Sequence, residues 1–224
     1  MTRLYTVPEL ISKCQKRGGY ATSNRLTPDV WLDFLESGLA ELHDLLIAKY
    51  GEDYFTVRAE VAVTNGVAGD LPDDILKLFS VALKYGDRWR GLRRFMLAEV
   101  DLQQDACEPG YRIEGGDIVI EPEPTGASAV RVIYVKAAPK LSLTSPAPAG
   151  TVFQVEGYNG WEELLVLYAL LRAKRSQDEP TDAVEREIGR QTARVEYAAS
   201  ARDAGEPMRI PDPDLYDTFD RWSR

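Results

Sequence analysis

Apolar residues recur at three- and four-residue steps near the start of the chain and again after residue 160, while between these regions the period shortens to two. The first helical stretch opens on Thr6-Val7-Pro8-Glu9. There Thr6 can cap, Glu9 can reach back to the cap and Pro8 suits a first turn. Leu10, Ile11 and Cys14 form its apolar stripe, and Gly18-Gly19 ends it. A longer helix opens at Thr27-Pro28. Its Trp31, Phe34, Leu35, Gly38, Leu39, Leu42, Leu45 and Leu46 keep helical spacing until Gly51 stops it.

Phe55, Val57, Ala59, Val61 and Val63 then alternate with Thr56, Arg58, Glu60 and Ala62, the mark of a half-buried strand. Residues 71–74 read as a turn and residues 78–85 as a strand. The spacing of Leu92, Phe95, Met96, Glu99 and Val100 predicts a helix over residues 92–104. Tyr111-Arg112-Ile113 and Asp117-Ile118-Val119-Ile120 flank Glu114-Gly115-Gly116, a hairpin signal, and residues 130–135 give another strand. A loop over residues 137–150 follows. Asn159 as cap and Glu162 at the capping-box position predict a third helix, with Trp161, Leu164, Leu165, Tyr168 and Leu171 on its buried face. A last helix runs from Pro180 to about residue 202 on Val184, Ile188, Gln191, Val195 and Ala198. Asp182/Arg186 and Glu187/Arg190 offer ion pairs along it.

These elements predict an α+β fold. A helical bundle is made from both ends of the chain, with residues 1–53 and 156–206 packing on each other around Trp31, Phe34, Leu35, Leu39, Leu42, Leu164, Leu165, Tyr168 and Leu171. Residues 54–155 form a strand-rich antiparallel insert. Residues 207–224 form an extended C-terminal arm, because Pro207, Pro211 and Pro213 each lack an N–H and break a continuing helix.

The charge narrows the choice of partner. Net charge is −9 over 224 residues, with 28% charged and 44% hydrophobic positions. That balance disfavours nucleic acid as the main partner, since backbone binding needs concentrated positive charge. No run approaches the roughly 20 apolar residues a membrane span needs, and Arg3 precedes no apolar signal region. The opposite bias appears locally at Lys84, Arg88, Arg90, Arg93 and Arg94, with Trp89 among them. Arg88, Arg90, Arg93 and Arg94 are candidate DNA-facing residues. The plainer reading is a solvent-facing turn whose arginines pair with nearby acids, and the acidity of the rest of the chain favours it. In the arm, Asp212, Asp214, Asp217 and Asp220 alternate with Leu215, Tyr216, Phe219 and Trp222. Such a segment either folds back on its own domain or docks on a partner.

Catalytic chemistry is not legible. The one histidine, His43, lies in the second helix without a companion base or ligand, and reads as structural. Cys14 and Cys107 lack metal-ligand spacing and read as reduced thiols. Gly66 to Gly69 and Gly115-Gly116 lack the following Lys-Ser/Thr of a phosphate loop. Asp73/Asp74, Asp101/Asp105 and Asp212/Asp214 are acidic pairs of the kind found on any acidic surface. No catalytic, cofactor or metal site is expected.

The order of five stretches resembles the head-to-tail adaptor (connector, or head completion) proteins of tailed bacteriophages. They are Thr6 to Leu10, the helix from Trp31 to Tyr50 running into the strand 54–63, Asp70-Leu71-Pro72-Asp73-Asp74-Ile75-Leu76-Lys77, residues 111–122 with Val132-Ile133-Tyr134, and Gly160-Trp161-Glu162-Glu163-Leu164 running to Pro207. The resemblance implies a structural, non-enzymatic protein of the virion neck, assembled in the bacterial host cytoplasm. It implies a ring, dodecameric in such families, on the portal protein, with further neck or tail proteins below and genomic DNA passing without sequence-specific contact. It also implies a portal-binding arm, here Leu215, Tyr216, Phe219 and Trp222. Two other classes stay open on residues alone: a small nucleic-acid-binding module using residues 84–94, and a small enzyme using His43 or Cys107.

Overall fold

The computed structural model describes residues 5–21, 25–64, 67–68, 71–99, 108–115, 117–155, 158 and 160–203. Helix α1 (Val7–Gly18) begins with the expected reciprocal cap. Thr6 N–H donates to Glu9 Oε2 at 2.8 Å and Glu9 N–H donates to Thr6 Oγ1 at 3.4 Å. Gly19, at φ +76°, ends the helix in the left-handed conformation that a side chain would disfavour. Helix α2 (Pro28–Tyr50) starts under a Thr27 cap, and Gly51 follows its last turn. Helices α3 (Glu162–Ser176) and α4 (Asp182–Asp203) come from the other end of the chain.

One apolar core takes residues from all four helices. Leu10 and Cys14 of α1, Leu35, Leu39 and Leu42 of α2, Leu164 and Leu165 of α3, and Val184 and Val195 of α4 all belong to it. Of the expected core, Phe34, Tyr168 and Leu171 are only partly buried. Helix α3 buries a wider face than its stripe predicts, taking in Val166, Leu167, Ala169, Leu170 and Ala173 as well. It is covered on several sides at once, so no single stripe marks its inside. His43 of α2 meets Tyr158 just before α3 at 3.1 Å, Gly38 lies against Tyr168, and Arg172 reaches back to the Ser37 carbonyl at 3.5 Å, so the two helices run antiparallel. Arg175 of α3 pairs with Glu185 of α4 at 3.0 Å across the next turn of the chain.

Between α2 and α3 the chain is mostly strand. A 3-10 turn at Glu52–Phe55 leads into β2 (Thr56–Thr64). Then follow β3 (Val67–Ala68), β4 (Ile75–Tyr85), β5 (Arg88–Gly91), β6 (Arg93–Arg94), β7 (Gly110–Glu114), β8 (Asp117–Glu121) and β9 (Ala127–Lys136). They form one eight-stranded sheet in the order β5-β4-β9-β2-β3-β8-β7-β6. Its two outermost strands are consecutive in the chain, separated only by Leu92, so the sheet curls until its edges meet. Val81, Leu83, Tyr111, Ile118, Ile120, Val130, Val132 and Tyr134 fill the inside as a second core. The pairs are antiparallel except for β6 with β7. Strands β2 and β9 start and finish side by side, with Thr56 opposite Val135.

Four further short strands belong to the helical side. Strand β1 (Tyr5–Thr6) pairs with β12 (Gln154–Val155), and β10 (Lys140–Leu141) with β11 (Thr151–Val152). Leu141 and Val155 are buried in the helical core.

The structure corrects the expected helix at residues 92–104. Residues 93–94 are strand and Leu97–Glu99 is a 3-10 turn, while residues 100–107 lie outside the described set. Distant partners override the local pattern here. Leu92 N–H donates to the Val81 carbonyl at 2.8 Å and Phe95 N–H to the Tyr111 carbonyl at 3.0 Å. Met96, expected on an apolar stripe, is 76% exposed. Two smaller corrections concern the last helices. Trp161 occupies the cap of α3 with no side-chain cap bond, and Glu162 Oε1 instead accepts from Gly160 N–H at 3.4 Å. Arg186 Nε donates to the Asp182 backbone carbonyl, not its carboxylate, while Arg190 and Glu187 do pair, at 3.2 Å.

Candidate functional site

The basic segment forms the seam where the curled sheet meets itself. Strand β4 turns through Gly86-Asp87 into β5, with Lys84 opposite Trp89 and Tyr85 opposite Arg88. Gly86 takes φ +56°, as tight hairpins require. The half-buried Trp89 ring carries the Arg131 guanidinium 3.7 Å above its centroid, with the Lys84 ammonium at 5.7 Å. Arg131 is also tied to Glu60 at 2.9 Å. Of the four candidate DNA-facing arginines, Arg90 meets Glu108 at 2.5 Å. Arg88, Arg93 and Arg94 are exposed and, among the described residues, have no acidic partner within ion-pair distance. The expected neutralisation by neighbouring acids therefore reaches one of the four. Beside the seam, Met96 and Ile113 stand exposed around a shallow cleft that Arg94 and Arg112 also line. Arg112 is itself held between Glu114 and Glu121.

His43 is the second place where chemistry could gather. It is 2% exposed, where the helical core meets the sheet. Its Nε2 lies 2.7 Å from the Lys136 carbonyl oxygen and its Nδ1 lies 3.1 Å from the Tyr158 hydroxyl. The imidazole lies against Phe55, with ring centroids 4.0 Å apart. Burial pulls its pKa below the ordinary histidine value, against the Lys136 carbonyl and the Asp44 carboxylate, which favour the charged form. Burial likewise pushes the Tyr158 hydroxyl far above the usual range. Neither group is placed as a base beside a nucleophile. His43 joins α2, the end of β9 and the approach to α3. Spacing could not have foretold this, because Tyr158 is 115 residues away.

A cavity of about 660 Å³ opens beside this histidine, walled by Phe55, Ala137, Pro139, Ala147, Val152 and Phe153 among others. No side chain in it has the acid–base or nucleophile pairing of a hydrolytic or transfer site.

The other candidates are structural or lie elsewhere. Cys14 is fully buried in the helical core, and burial pushes its thiol up to about 12, so it is inert. Asp74, of the pair Asp73/Asp74, accepts from the Tyr134 hydroxyl at 2.9 Å and pairs with Lys136 at 3.3 Å. Among the described residues no group of three or more metal-ligating side chains comes together. Cys107, Asp101, Asp105, and the arm with Leu215, Tyr216, Phe219 and Trp222 lie outside the described residues. No helix of the described residues is long and apolar enough to cross a membrane.

Against known proteins, no curated protein matches the chain. A family model, that of the SU10 adaptor protein, matches residues 5–217. That span takes in both cores, the seam and the first part of the arm. The chain therefore belongs to the SU10 adaptor protein family, a family of structural head-to-tail adaptors that sit in the phage virion neck and associate with other head and tail proteins.

Proposed function

We propose that this adaptor assembles in the host cytoplasm as a ring, of about twelve copies, on the portal vertex, where it extends the DNA channel and receives the next neck or tail protein. The observation that carries this is the reach of the family match: it continues past the helical body to residue 217, so the family pattern takes in the body and the first part of the arm. In this reading Leu215, Tyr216, Phe219 and Trp222 anchor the arm on the portal. Leu215 and Tyr216 fall within the matched span, and Phe219 and Trp222 follow at helical spacing. Aromatic anchors of this kind often cost about 2 kcal/mol or more each when truncated. The net charge of −9 suits a channel wall along which DNA slides without adhering.

A chain ending at Glu206 keeps α4, which finishes at Asp203, and all of both cores. It is expected to fold cooperatively, yet fail to join portal-bearing heads. Normal incorporation of the shortened chain would overturn the assignment of the arm.

The unpaired arginines of the seam favour a second, subordinate contact. Arg88, Arg93 and Arg94 present three exposed positive charges on one bend of the chain, which is the chemistry of sequence-independent phosphate contact. Purified protein should then retard double-stranded DNA at low salt, and combined Arg88→Ala, Arg93→Ala and Arg94→Ala should abolish the shift. If the wild type shows no shift at low salt, the seam is a solvated surface only.

A further inference from the structure

The cavity beside His43 and the last described turns of α4 both lie toward the C-terminal end of α2. Helix α4 runs antiparallel to α3, as the Arg175–Glu185 pair shows at one end. At its other end Glu196 meets Lys49 of α2 at 2.7 Å, and Ala199 is still buried. Two residues past Lys49, α2 gives way to the turn Glu52–Phe55, and Phe55 is a wall of the cavity. The last turns of α4 therefore run toward the same end of α2 as Phe55. From Asp203 to Leu215 the extended chain can span roughly 40 Å, at about 3.3–3.6 Å per residue, which is ample for the crossing.

The chemistry of the two parts corresponds. The cavity has aromatic and aliphatic walls in Phe55, Val152 and Phe153, and its hydroxyl and amide groups come from Ser145, Thr151 and Gln154. At about 660 Å³ it has room for two large aromatic side chains. The arm brings Leu215, Tyr216, Phe219 and Trp222, whose apolar surface is costly to leave in water and whose O–H and indole N–H need acceptors. A tethered segment meets a site on its own subunit at an effective concentration in the millimolar range, so even a weak fit is occupied.

We propose that, in the free subunit, the aromatic end of the arm docks in this cavity of its own chain, and that portal binding must withdraw it. The cavity thus acts as a holding site that keeps the arm from premature contacts. Docking belongs to the protein before it meets a portal, while release of the arm by the portal rests on the function proposed above.

The test is amide hydrogen exchange on the full-length free protein at dilutions where it is monomeric, followed at residues 208–224 and 151–155. Wild type is expected to exchange the arm at least tenfold more slowly than an unstructured peptide of the same sequence. Ala147→Trp, which fills the cavity from its loop side, should return the arm to the unstructured rate while α1 to α4 keep their protection. Should that variant disturb folding, Phe219→Ala with Trp222→Ala makes the same test from the other partner: exchange at residues 151–155 should rise. An arm at the unstructured rate in wild type, or protection indifferent to both variants, would overturn the proposal. So would protection that grows with protein concentration, which would mean that a second copy supplies the arm.

Discussion

At His43 the roles of the two ring nitrogens follow from their partners. A carbonyl oxygen can only accept, so Nε2 must carry the proton it donates to Lys136 O, and the neutral ring leaves Nδ1 to accept from the Tyr158 hydroxyl. Protonating Nδ1 puts a charge into a site 2% exposed and removes that acceptor. Because the folded pKa lies below the unfolded value, this histidine's contribution to stability is present above about pH 6.5 and is lost as pH falls below it. Melting temperature should therefore drop between pH 7 and pH 5, and His43→Gln should flatten that part of the profile. The same substitution is expected to leave virion assembly intact at neutral pH, since the ring's contacts join elements of one subunit. Loss of infectivity by a His43→Gln protein that still enters virions would contradict that role. The sequence read His43 as structural but could not give its partners, because both come from chain segments far from α2.

Among the elements, α2 and α3 meet in a close contact. Gly38 faces α3 so closely that an added Cβ would stand 3.0 Å from Tyr168 Cβ and 3.4 Å from Leu165 Cδ1. Gly38→Val should force the helices apart and destabilise the protein by about 1–3 kcal/mol, the usual cost of overpacking. Leu39 and Leu165 are fully buried, so Leu39→Ala and Leu165→Ala should each cost about 2–5 kcal/mol and lower the melting temperature. An unchanged melt in both would mean that these faces do not meet in solution. The caps, stops and stripes of α1 and α2 were legible because local chemistry decides them: Thr6 with Glu9, Thr27 before Pro28, Gly19 and Gly51. The stretch after Leu92 was not. Its three-residue apolar spacing suits a helix, but its backbone groups bond to Val81 and Tyr111, and only the closed sheet supplies those partners. The wide buried face of α3 was hidden for a similar reason, since a helix packed against α1, α2 and α4 does not reveal its inside by one stripe.

For the molecule as a whole, the positive charge gathers at the seam of the sheet while the chain is acidic overall. If the seam touches phosphate, weakening of DNA retention with added salt should be steep, with a logarithmic slope of about −0.9 for each phosphate neutralised. Replacing Arg88, Arg93 and Arg94 by Ala should remove that dependence. The path of the chain into and out of the sheet has a different consequence. Thr56 enters on β2 directly opposite Val135, where β9 is about to leave. The sheet with its own filled interior is thus grafted on the helical body through one adjacent strand pair, and the body closes without it. A chain joining Phe55 to Ala137 by a short glycine-serine linker should retain the helical circular-dichroism signal and a cooperative melt. It should melt at a lower temperature, because the His43–Lys136 bond is gone. Such a cassette can be lengthened or trimmed while the mount that carries it stays the same.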